Sequence, residues 1–370
     1  MYKLLVRPIL FRLSADYAHE LAVKTATNYS KRDLFLRAAG TVYSYSNPKL
    51  SQNIWGLNFR NPVGLAAGFD KNCTMAPLME NLGFGFVEIG SVTAIPSTGN
   101  PKPRSFRLPA DQSLINRLGL NNDGAQTISR RLKKLNLNIP VGVNIAKTHN
   151  PDIYGDKALE DYQTSFNLVK DIADYITLNI SCPNTAEGKT FEDPDVLDSL
   201  LNTLELNKDS SLPPVLVKFS VDLDENRLSE LISVCESHAI SGYVATNTSS
   251  NRDNLKTSTS KISSIGRGGL SGKAIQNKST EIIRQIYKKT KGEKTIIGVG
   301  GISSGMDAID KIKAGADLVQ IYTSMVYEGP SIVKRINKEI ADYLLVHDLD
   351  NIYQIRKKAS QEKVNSEYEN

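Results

Sequence analysis

Cysteine is scarce in this sequence, and its scarcity argues against two kinds of protein. The chain has 370 residues and three cysteines, Cys73, Cys182 and Cys235. Their number is odd and their spacing matches no zinc motif, so we expect neither a disulfide framework nor a metal site. This pattern is typical of a protein from a reducing compartment.

Long apolar runs and a strong excess of one charge are also missing. No run reaches the roughly 18–20 residues that a membrane-spanning helix needs, and the first residues lack the features of a signal peptide. The net charge of +5 is too small to predict nucleic-acid binding, although a mildly basic surface suits anionic lipid or an anionic substrate. We therefore expect a soluble, globular chain that binds no nucleic acid.

A regular alternation of strand and helix patterns begins near residue 63. Short β-branched runs predict strands at 63–67, 86–90, 141–146, 175–180, 215–219, 243–246, 296–299 and 318–321. Helical patterns follow them around 72–82, 122–135, 156–171, 195–208, 225–238, 275–290, 304–314 and 330–345. Eight such units predict an α/β fold, a (β/α)8 TIM barrel over residues 48–346, with a doubly wound open sheet as the alternative.

The segments outside this alternation differ in composition. Residues 1–47 carry apolar side chains at helical spacing, with a second helix starting at Ser14, and predict a small N-terminal helical domain. Such a hairpin could lie on a membrane surface or simply pack against the barrel, and the pattern does not separate these two. Residues 91–121 and 248–274 are expected to be long loops with a functional or lid role. The polar tail, 347–370, is expected to be disordered.

Small polar residues are concentrated at the end of the fourth predicted strand, in residues 175–185. Amides, hydroxyls and a thiol crowd around Pro183 there, as a site for a planar polar ligand requires. Cys182 is the group in this stretch best suited to remove a proton near neutral pH, because a few per cent of a free thiol is ionised at pH 7. A buried structural cysteine before a turn is the alternative interpretation.

Polar and charged residues also stand at the ends of the other predicted strands, where barrel enzymes place their sites. Lys71, Lys147 and Lys218 should need an anionic or acceptor-rich ligand, because buried charges need partners. The glycine-rich turn 298–301 follows strand seven, at the position where this fold binds phosphate. A ring of Asn144, Asn179, Lys218 and Thr246 would suit the polar edge of a flat heterocycle, so flavin mononucleotide (FMN) fits the pattern.

A second group of polar residues predicts a second ligand. The group contains one lysine and several amides, which suit a small carboxylated amide or imide. The loop 116–122 could fold over such a ligand, or it could be a plain surface turn. The residues of this group are Lys71, Asn116, Asn184, Asn247 and Thr248.

Specific motifs in the chain resemble those of dihydroorotate dehydrogenases, in particular the membrane-associated class that uses quinone. The motifs are GLAAGFDKN, EIGSVT, NPKPRSFRL, INRLGLNN, NISCPNT, ATNTS, GGLSG, IIGVGGI and LVQIYTS, and LFRLSADYAHELAV resembles the extra helical domain of that class. The resemblance implies oxidation of dihydroorotate to orotate with FMN, transfer of electrons to a quinone, and a place in pyrimidine biosynthesis. It also implies a peripheral position on the cytoplasmic side of the cell (inner) membrane, and we expect a monomer.

The resemblance further assigns residues to roles. Cys182 stands at the position of the catalytic base. His19, Arg104 and Tyr322 resemble residues that line a quinone passage. The FMN-binding residues would be Ala67, Gly68, Phe69, Asp70, Lys71, Ser91, Asn144, Asn179, Lys218, Thr246, Gly272, Gly301, Tyr322 and Thr323. The substrate-binding residues would be Lys71, Asn116, Arg117, Leu118, Gly119, Leu120, Asn179, Asn184, Asn247 and Thr248.

One residue departs from the pattern of the quinone-using class. That class normally has serine at the base position, and cysteine there is typical of the soluble classes, yet this chain has Cys182. A soluble-type enzyme that uses fumarate or NAD is therefore a competing interpretation. An FMN barrel that oxidises a 2-hydroxy acid is a second one, although that chemistry would want a histidine base at a strand end. A barrel that only binds a partner is the third.

Overall fold

A computed structural model describes residues 2–181, 190–208 and 211–358 of the chain. Its strands are β1 (Gln52–Ile54), β2 (Leu57–Phe59), β3 (Val63–Leu65), β4 (Phe86–Val92), β5 (Ser105–Leu108), β6 (Ser113–Asn116), β7 (Val141–Ile145), β8 (Tyr175–Asn179), β9 (Val215–Phe219), β10 (Gly242–Ala245), β11 (Gly269–Gly272), β12 (Thr295–Val299) and β13 (Leu318–Ile321). Its helices are α1 (Arg7–Arg12), α2 (Ala15–Tyr29), α3 (Asp33–Tyr43), α4 (Ala76–Asn81), α5 (Ala125–Leu132), α6 (Asp156–Val169), α7 (Pro194–Thr203), α8 (Glu225–Glu236), α9 (Thr259–Ile265), α10 (Gln276–Lys289), α11 (Gly305–Ala314), α12 (Thr323–Glu328) and α13 (Ile332–Val346).

The parallel strands close into a barrel in the order β10-β12-β13-β3-β4-β7-β8-β9, and β9 pairs back to β10. Nearly every residue of these strands is buried, as expected where helices cover the outside and side chains fill the inside. Val63 pairs with Val319, so the first barrel strand closes against the last. The predicted TIM barrel is confirmed, and the open-sheet alternative is wrong.

The amino-terminal mouth of the barrel is closed by the antiparallel hairpin of β1 and β2. Trp55 lies in the turn of this hairpin, 6.0 Å from the ring of Tyr175. Phe59 follows it and packs edge-on against Phe86, with ring centroids 5.3 Å apart. These aromatic side chains belong to the apolar cluster that fills the barrel interior, so the hairpin closes the end opposite the predicted site.

The N-terminal segment forms three helices, α1 to α3, rather than the predicted hairpin of two. Ser14 begins α2 as predicted, because its Oγ accepts a hydrogen bond from the Tyr17 N–H at 3.3 Å. Several large apolar side chains of the segment are exposed, including Leu4, Leu5, Ile9 and Leu34. In the part of the chain that the structure describes, no helix is both long enough and apolar enough to cross a bilayer.

The two predicted loops are more ordered than expected. Residues 105–116 form β5 and β6, and residues 269–272 form β11, which together make an antiparallel sheet in the order β11-β6-β5. Leu108, Ile115 and Leu270 are buried in a small apolar core beneath this sheet, which keeps it in place. The loop interpretation was therefore wrong for these residues.

The predicted disorder of the tail is wrong for residues 347–358. Residues 352–358 are helical, and Ile352 and Ile355 are buried in the main core. The guanidinium of Arg356 also pairs with Asp317 at 2.7 Å. An isoleucine spacing of three places both apolar side chains on the face that meets the barrel. The rest of that prediction, 359–370, lies outside the described residues.

Candidate active site

A cavity of about 1030 Å³ lies at the carboxyl ends of the barrel strands. Its wall combines lysines, amides, hydroxyls and glycines with apolar side chains such as Leu118, Val299 and Ile321. The predicted site residues that line it are Ala67, Gly68, Lys71, Ser91, Asn116, Arg117, Leu118, Gly119, Leu120, Asn179, Lys218, Thr246, Asn247, Thr248, Gly272, Gly301, Tyr322 and Thr323.

Other predicted site residues lie behind the wall or elsewhere. The carboxylate of Asp70 is buried and accepts hydrogen bonds from the Thr74 and Met75 N–H groups at 2.9 and 2.8 Å, so it shapes the turn after β3. Asn144 is fully buried beneath Ser91. Phe69, His19 and Arg104 lie between the barrel and the N-terminal helices. Cys182 and Asn184 are outside the described residues.

A chain of hydrogen bonds joins the amides at the ends of β8 and β10. Asn179 Nδ2 donates to Ser91 Oγ at 3.0 Å, and Asn179 Oδ1 accepts from Asn247 Nδ2 at 3.1 Å. The same Asn247 nitrogen donates to Ser181 Oγ at 2.7 Å. The Tyr162 hydroxyl holds the Asn179 carbonyl from outside the barrel at 2.8 Å. This network fixes the amides as a rigid polar wall for a ligand.

Two lysines bring positive charge to the cavity. Burial and repulsion from Arg104 together lower the pKa of Lys71 to about 8, while the charge of Asp70 opposes the shift. Burial also lowers the pKa of Lys218, against the attraction of Glu88. Each ammonium therefore lies in a desolvated position where an anion or a carbonyl oxygen would be a strong partner.

Lys147, by contrast, does not belong to this site. Its ammonium donates to the carbonyls of Ile153 at 2.6 Å and Asn150 at 3.4 Å, in the loop that follows β7. The prediction that Lys147 needs a ligand was therefore wrong, because backbone oxygens of its own loop satisfy it.

Glycines and unpaired polar atoms mark the part of the cavity next to β12 and β13. Gly301 has φ +77°, and a Cβ there would lie 2.4 Å from Gln276 Cβ, so only glycine fits. Among the described residues, Thr246 Oγ1, Gln320 Oε1 and Ser324 Oγ are buried without a hydrogen-bond partner, and all three residues line the cavity. Such atoms are costly unless a ligand pairs with them.

A line of rings connects the N-terminal helices to the cavity. His19 on α2 meets Phe69 edge-on with centroids 6.1 Å apart, and Phe69 meets Tyr322 in the same way at 5.3 Å. Burial and the nearby charge of Lys71 lower the pKa of His19 to about 3, so the imidazole is neutral at physiological pH. The backbone N–H of Arg104 donates to Asp16 on α2 at 2.9 Å, which ties the helix to the rim.

Sequence reasoning missed three polar residues of this region. Gln320 and Glu88 interrupt apolar strands, and a charged or amide side chain in a buried strand is the signal that could have found them. Glu192 also lines the cavity, where burial raises the pKa of its carboxyl to about 7. Its Oε1 accepts from the Ser220 N–H at 2.8 Å.

This fold and this site define a barrel enzyme that binds polar ligands at its carboxyl rim and carries a helical cap. A family model described as "Dihydroorotate dehydrogenase" matches residues 49–344. The chain belongs to the dihydroorotate dehydrogenase family.

Similar proteins support this assignment over nearly the whole length. Proteins named dihydroorotate dehydrogenase (quinone) from Gloeobacter violaceus and Christiangramia forsetii are 41% and 40% identical to this chain. Each alignment covers 92% of this chain, and it covers 94% and 99% of the respective relative. The crystal structure of ligand-free DHODH from Eimeria tenella is 34% identical with a TM-score of 0.78, covering 90% of this chain and 97% of that one. The resemblance inferred from the motifs is confirmed.

Proposed function

We propose that this chain is a dihydroorotate dehydrogenase that oxidises dihydroorotate to orotate and passes the electrons to a quinone, a step of pyrimidine biosynthesis. The observation that carries the proposal is the convergence of Lys71, Asn179, Asn247 and Lys218 on one cavity. Relatives that align over nearly the full chain bear the name dihydroorotate dehydrogenase (quinone), and this favours quinone over fumarate or NAD as the acceptor.

FMN fits the cavity next to β12 and β13. The three unpaired polar atoms of Thr246, Gln320 and Ser324 need partners, and the glycines leave room for a ligand to approach the backbone. When bound, FMN would supply the redox centre that accepts hydride from the substrate. The residues that would hold it from the cavity wall are Ala67, Gly68, Lys71, Ser91, Asn179, Lys218, Thr246, Gly272, Gly301, Tyr322 and Thr323.

Three other residues of the predicted FMN set would act from behind the wall. Phe69 packs against Tyr322, and Asn144 contacts Ser91. Asp70 holds the turn that presents Lys71. These contacts would position the wall residues without requiring contact with the cofactor.

The chain's own residues would bind the substrate and move its proton. The Lys71 ammonium would pair with the substrate carboxylate, and the amides of Asn116, Asn179 and Asn247 would bind the ring amides. Cys182 would accept the proton as general base. Ser181, the last described residue before it, accepts a hydrogen bond from Asn247 Nδ2 at 2.7 Å.

The N-terminal helices would bind the membrane surface and let quinone reach the barrel. The neutral His19 and the aromatic Phe69 and Tyr322 make an uncharged route from α2 to the cavity, and Arg104 flanks it. The exposed side chains of Leu4, Leu5 and Ile9 suit the interfacial layer of a bilayer. We propose a peripheral, monomeric protein on the cytoplasmic side of the cell membrane.

The decisive experiment is a visible spectrum of the purified protein, before and after addition of dihydroorotate under nitrogen. We expect a flavin spectrum that bleaches with dihydroorotate and is restored by a quinone but not by fumarate or NAD. Cys182→Ala should keep the spectrum but slow bleaching by about 10²–10⁴, the usual cost of losing a general base. A colourless protein, or one restored by fumarate, would refute the proposal, and unchanged bleaching in Cys182→Ala would refute the base assignment.

A further inference from the structure

We propose that Glu88 is a positioning residue that fixes which amide atoms, donor or acceptor, the cavity wall presents to the substrate. The inference rests on the proposed function, since it concerns how the same cavity recognises a pyrimidine ring. Glu88 lies in β4 inside the barrel, is completely buried, and does not line the cavity.

Every hydrogen-bond partner of the Glu88 carboxylate is a donor. Its Oε1 accepts from Asn144 Nδ2 at 2.9 Å. Its Oε2 accepts from Gln320 Nε2 at 2.8 Å, from the Thr177 hydroxyl at 3.2 Å and from the Tyr175 hydroxyl at 3.3 Å. With four donors on its two oxygens, the carboxylate acts only as an acceptor, so it imposes one orientation on each amide that it meets.

The orientation of Asn144 then determines the orientations of Ser91 and Asn179, which follow it in the hydrogen-bond network. Because Asn144 turns its NH₂ to Glu88, its Oδ1 faces Ser91 and accepts a hydrogen bond from the Ser91 hydroxyl. The Ser91 oxygen is left as an acceptor, and it accepts from Asn179 Nδ2 at 3.0 Å. Each member has one orientation open to it once the previous one is set.

The last steps of the chain reach the substrate side of the cavity. Asn179, with its NH₂ on Ser91, offers Oδ1 to Asn247 Nδ2 at 3.1 Å. That nitrogen also donates to Ser181 Oγ, while Asn247 Oδ1 accepts from the Thr248 N–H at 2.9 Å. Both cavity amides therefore present defined atoms, and the carboxylate at the buried end and the Thr248 N–H at the other end require the same direction of hydrogen bonding.

A second branch of the network acts on another part of the cavity wall. Gln320 donates a hydrogen bond from its NH₂ to Glu88, so its unpaired Oε1 remains as an acceptor. The residue lines the cavity. Glu88 also attracts the buried ammonium of Lys218, which lines the same cavity. One carboxylate thus orients the acceptor of Gln320, attracts the ammonium of Lys218 and directs the amides that begin at Asn144. Such a wall suits a ligand with alternating donors and acceptors.

The chemistry explains why a carboxylate is needed at this position. A glutamine could both donate and accept, so Asn144 could turn over and reverse the atoms that follow it. An apolar residue would avoid the cost of burying a charge, but it would leave the donors of Asn144 and Gln320 without a partner.

The test compares two ligands in Glu88→Gln and in a matched control. Orotate has ring amides and a carboxylate, whereas benzoate has only the carboxylate, and binding of each is followed by perturbation of the visible spectrum of the holoenzyme. We expect Glu88→Gln to weaken orotate by about tenfold or more, the effect of roughly one hydrogen bond, and to leave benzoate unchanged. The control, Tyr175→Phe, removes a donor to Glu88 that does not contact the amides. The ratio of the affinities for orotate and benzoate should then stay near the wild-type value.

A second variant keeps the inference testable if Glu88→Gln fails to fold. Ser91→Ala removes the hydrogen bonds that link Asn144 to Asn179. It should lower the affinity for orotate relative to the affinity for benzoate. An unchanged ratio in Ser91→Ala, or equal losses for both ligands in Glu88→Gln, would overturn the inference. Wild-type protein that binds no orotate would instead overturn the proposed function, and this inference with it.

Discussion

At the scale of single residues, Lys71 shows how the surroundings of one side chain set its charge. Lys71 follows β3 and faces the cavity, with Arg104 as a repelling neighbour and Asp70 as an attracting one. Burial and Arg104 lower its pKa to about 8 against the effect of Asp70, so the ammonium is charged at neutral pH and loses its proton in mildly alkaline solution.

This titration predicts how orotate binding depends on pH. Below pH 8 Lys71 is charged and the affinity should be constant. Above pH 8 the charge is lost before the ligand arrives, so the dissociation constant should rise by up to about tenfold per pH unit. Lys71→Arg, whose guanidinium stays charged, should give a flat profile at its own affinity. Titration of orotate across this range measures both, and a flat wild-type profile would contradict the assignment.

At the scale of secondary-structure elements, residues 352–358 form an ordered helix, although the polar composition of the tail predicted disorder. Two isoleucines supply its apolar contacts, and Arg356 pairs with Asp317 where β13 begins. The helix therefore contributes to the stability of the barrel.

We predict that Ile355→Ala lowers the free energy of unfolding by about 2–5 kcal/mol, because it leaves a cavity in a core position that is 1% exposed. Lys357→Ala on the exposed face of the same helix should change it by less than about 0.5 kcal/mol. Chemical denaturation of both variants makes the comparison. Equal, small effects would mean that the helix does not pack on the barrel in solution.

The sequence predicted the barrel elements well because their pattern is local and repeated. The strands Val215–Phe219 and Leu318–Ile321 have the predicted bounds, since β-branched runs ended by polar residues specify them. The sheet of β5, β6 and β11 was missed because β11 is contributed by a segment far along the chain. Its strands have four residues each, too few for a clear alternation.

The candidate site could be predicted to a similar degree. Its prediction failed where the contacts of a residue depend on distant parts of the sequence. Residues at strand ends, such as Lys218 and Asn247, could be found because the barrel brings those ends together. Glu88 was missed because its role depends on a chain of partners from four strands and two loops. Lys147 was wrongly included because nothing local shows that a carbonyl of its own loop would bind it.

At the scale of the whole molecule, the N-terminal helices place an apolar surface beside the entrance to the cavity. Leu4 is 81% exposed, and Leu5 and Ile9 lie near it, while the ring line from His19 leads inward. We propose that this arrangement gives a lipid-soluble oxidant and a water-soluble pyrimidine acid separate approaches to one barrel.

We predict that replacing Leu4, Leu5 and Ile9 together by serine weakens binding to anionic lipid vesicles by more than about tenfold, because each side chain is worth about 1.5–3 kcal/mol when fully buried. Quinone turnover on those vesicles should fall with binding. The control replaces Leu345 and Val346, which are 74% and 78% exposed but lie at the end of α13. Co-sedimentation measures both, and equal losses would contradict the assignment of the membrane-facing surface.

The contacts that fasten the first residues have a consequence for how the protein is made. The Tyr2 hydroxyl donates to the Val326 carbonyl at 2.7 Å, and the Arg7 guanidinium donates to the Tyr327 carbonyl at 3.1 Å, across more than three hundred residues of sequence. Residues 2–7 are therefore synthesised long before α12, the helix that carries their partners. During that interval Tyr2 and Arg7 lack these partners, so we expect the nascent segment to reach lipid before the barrel can hold it.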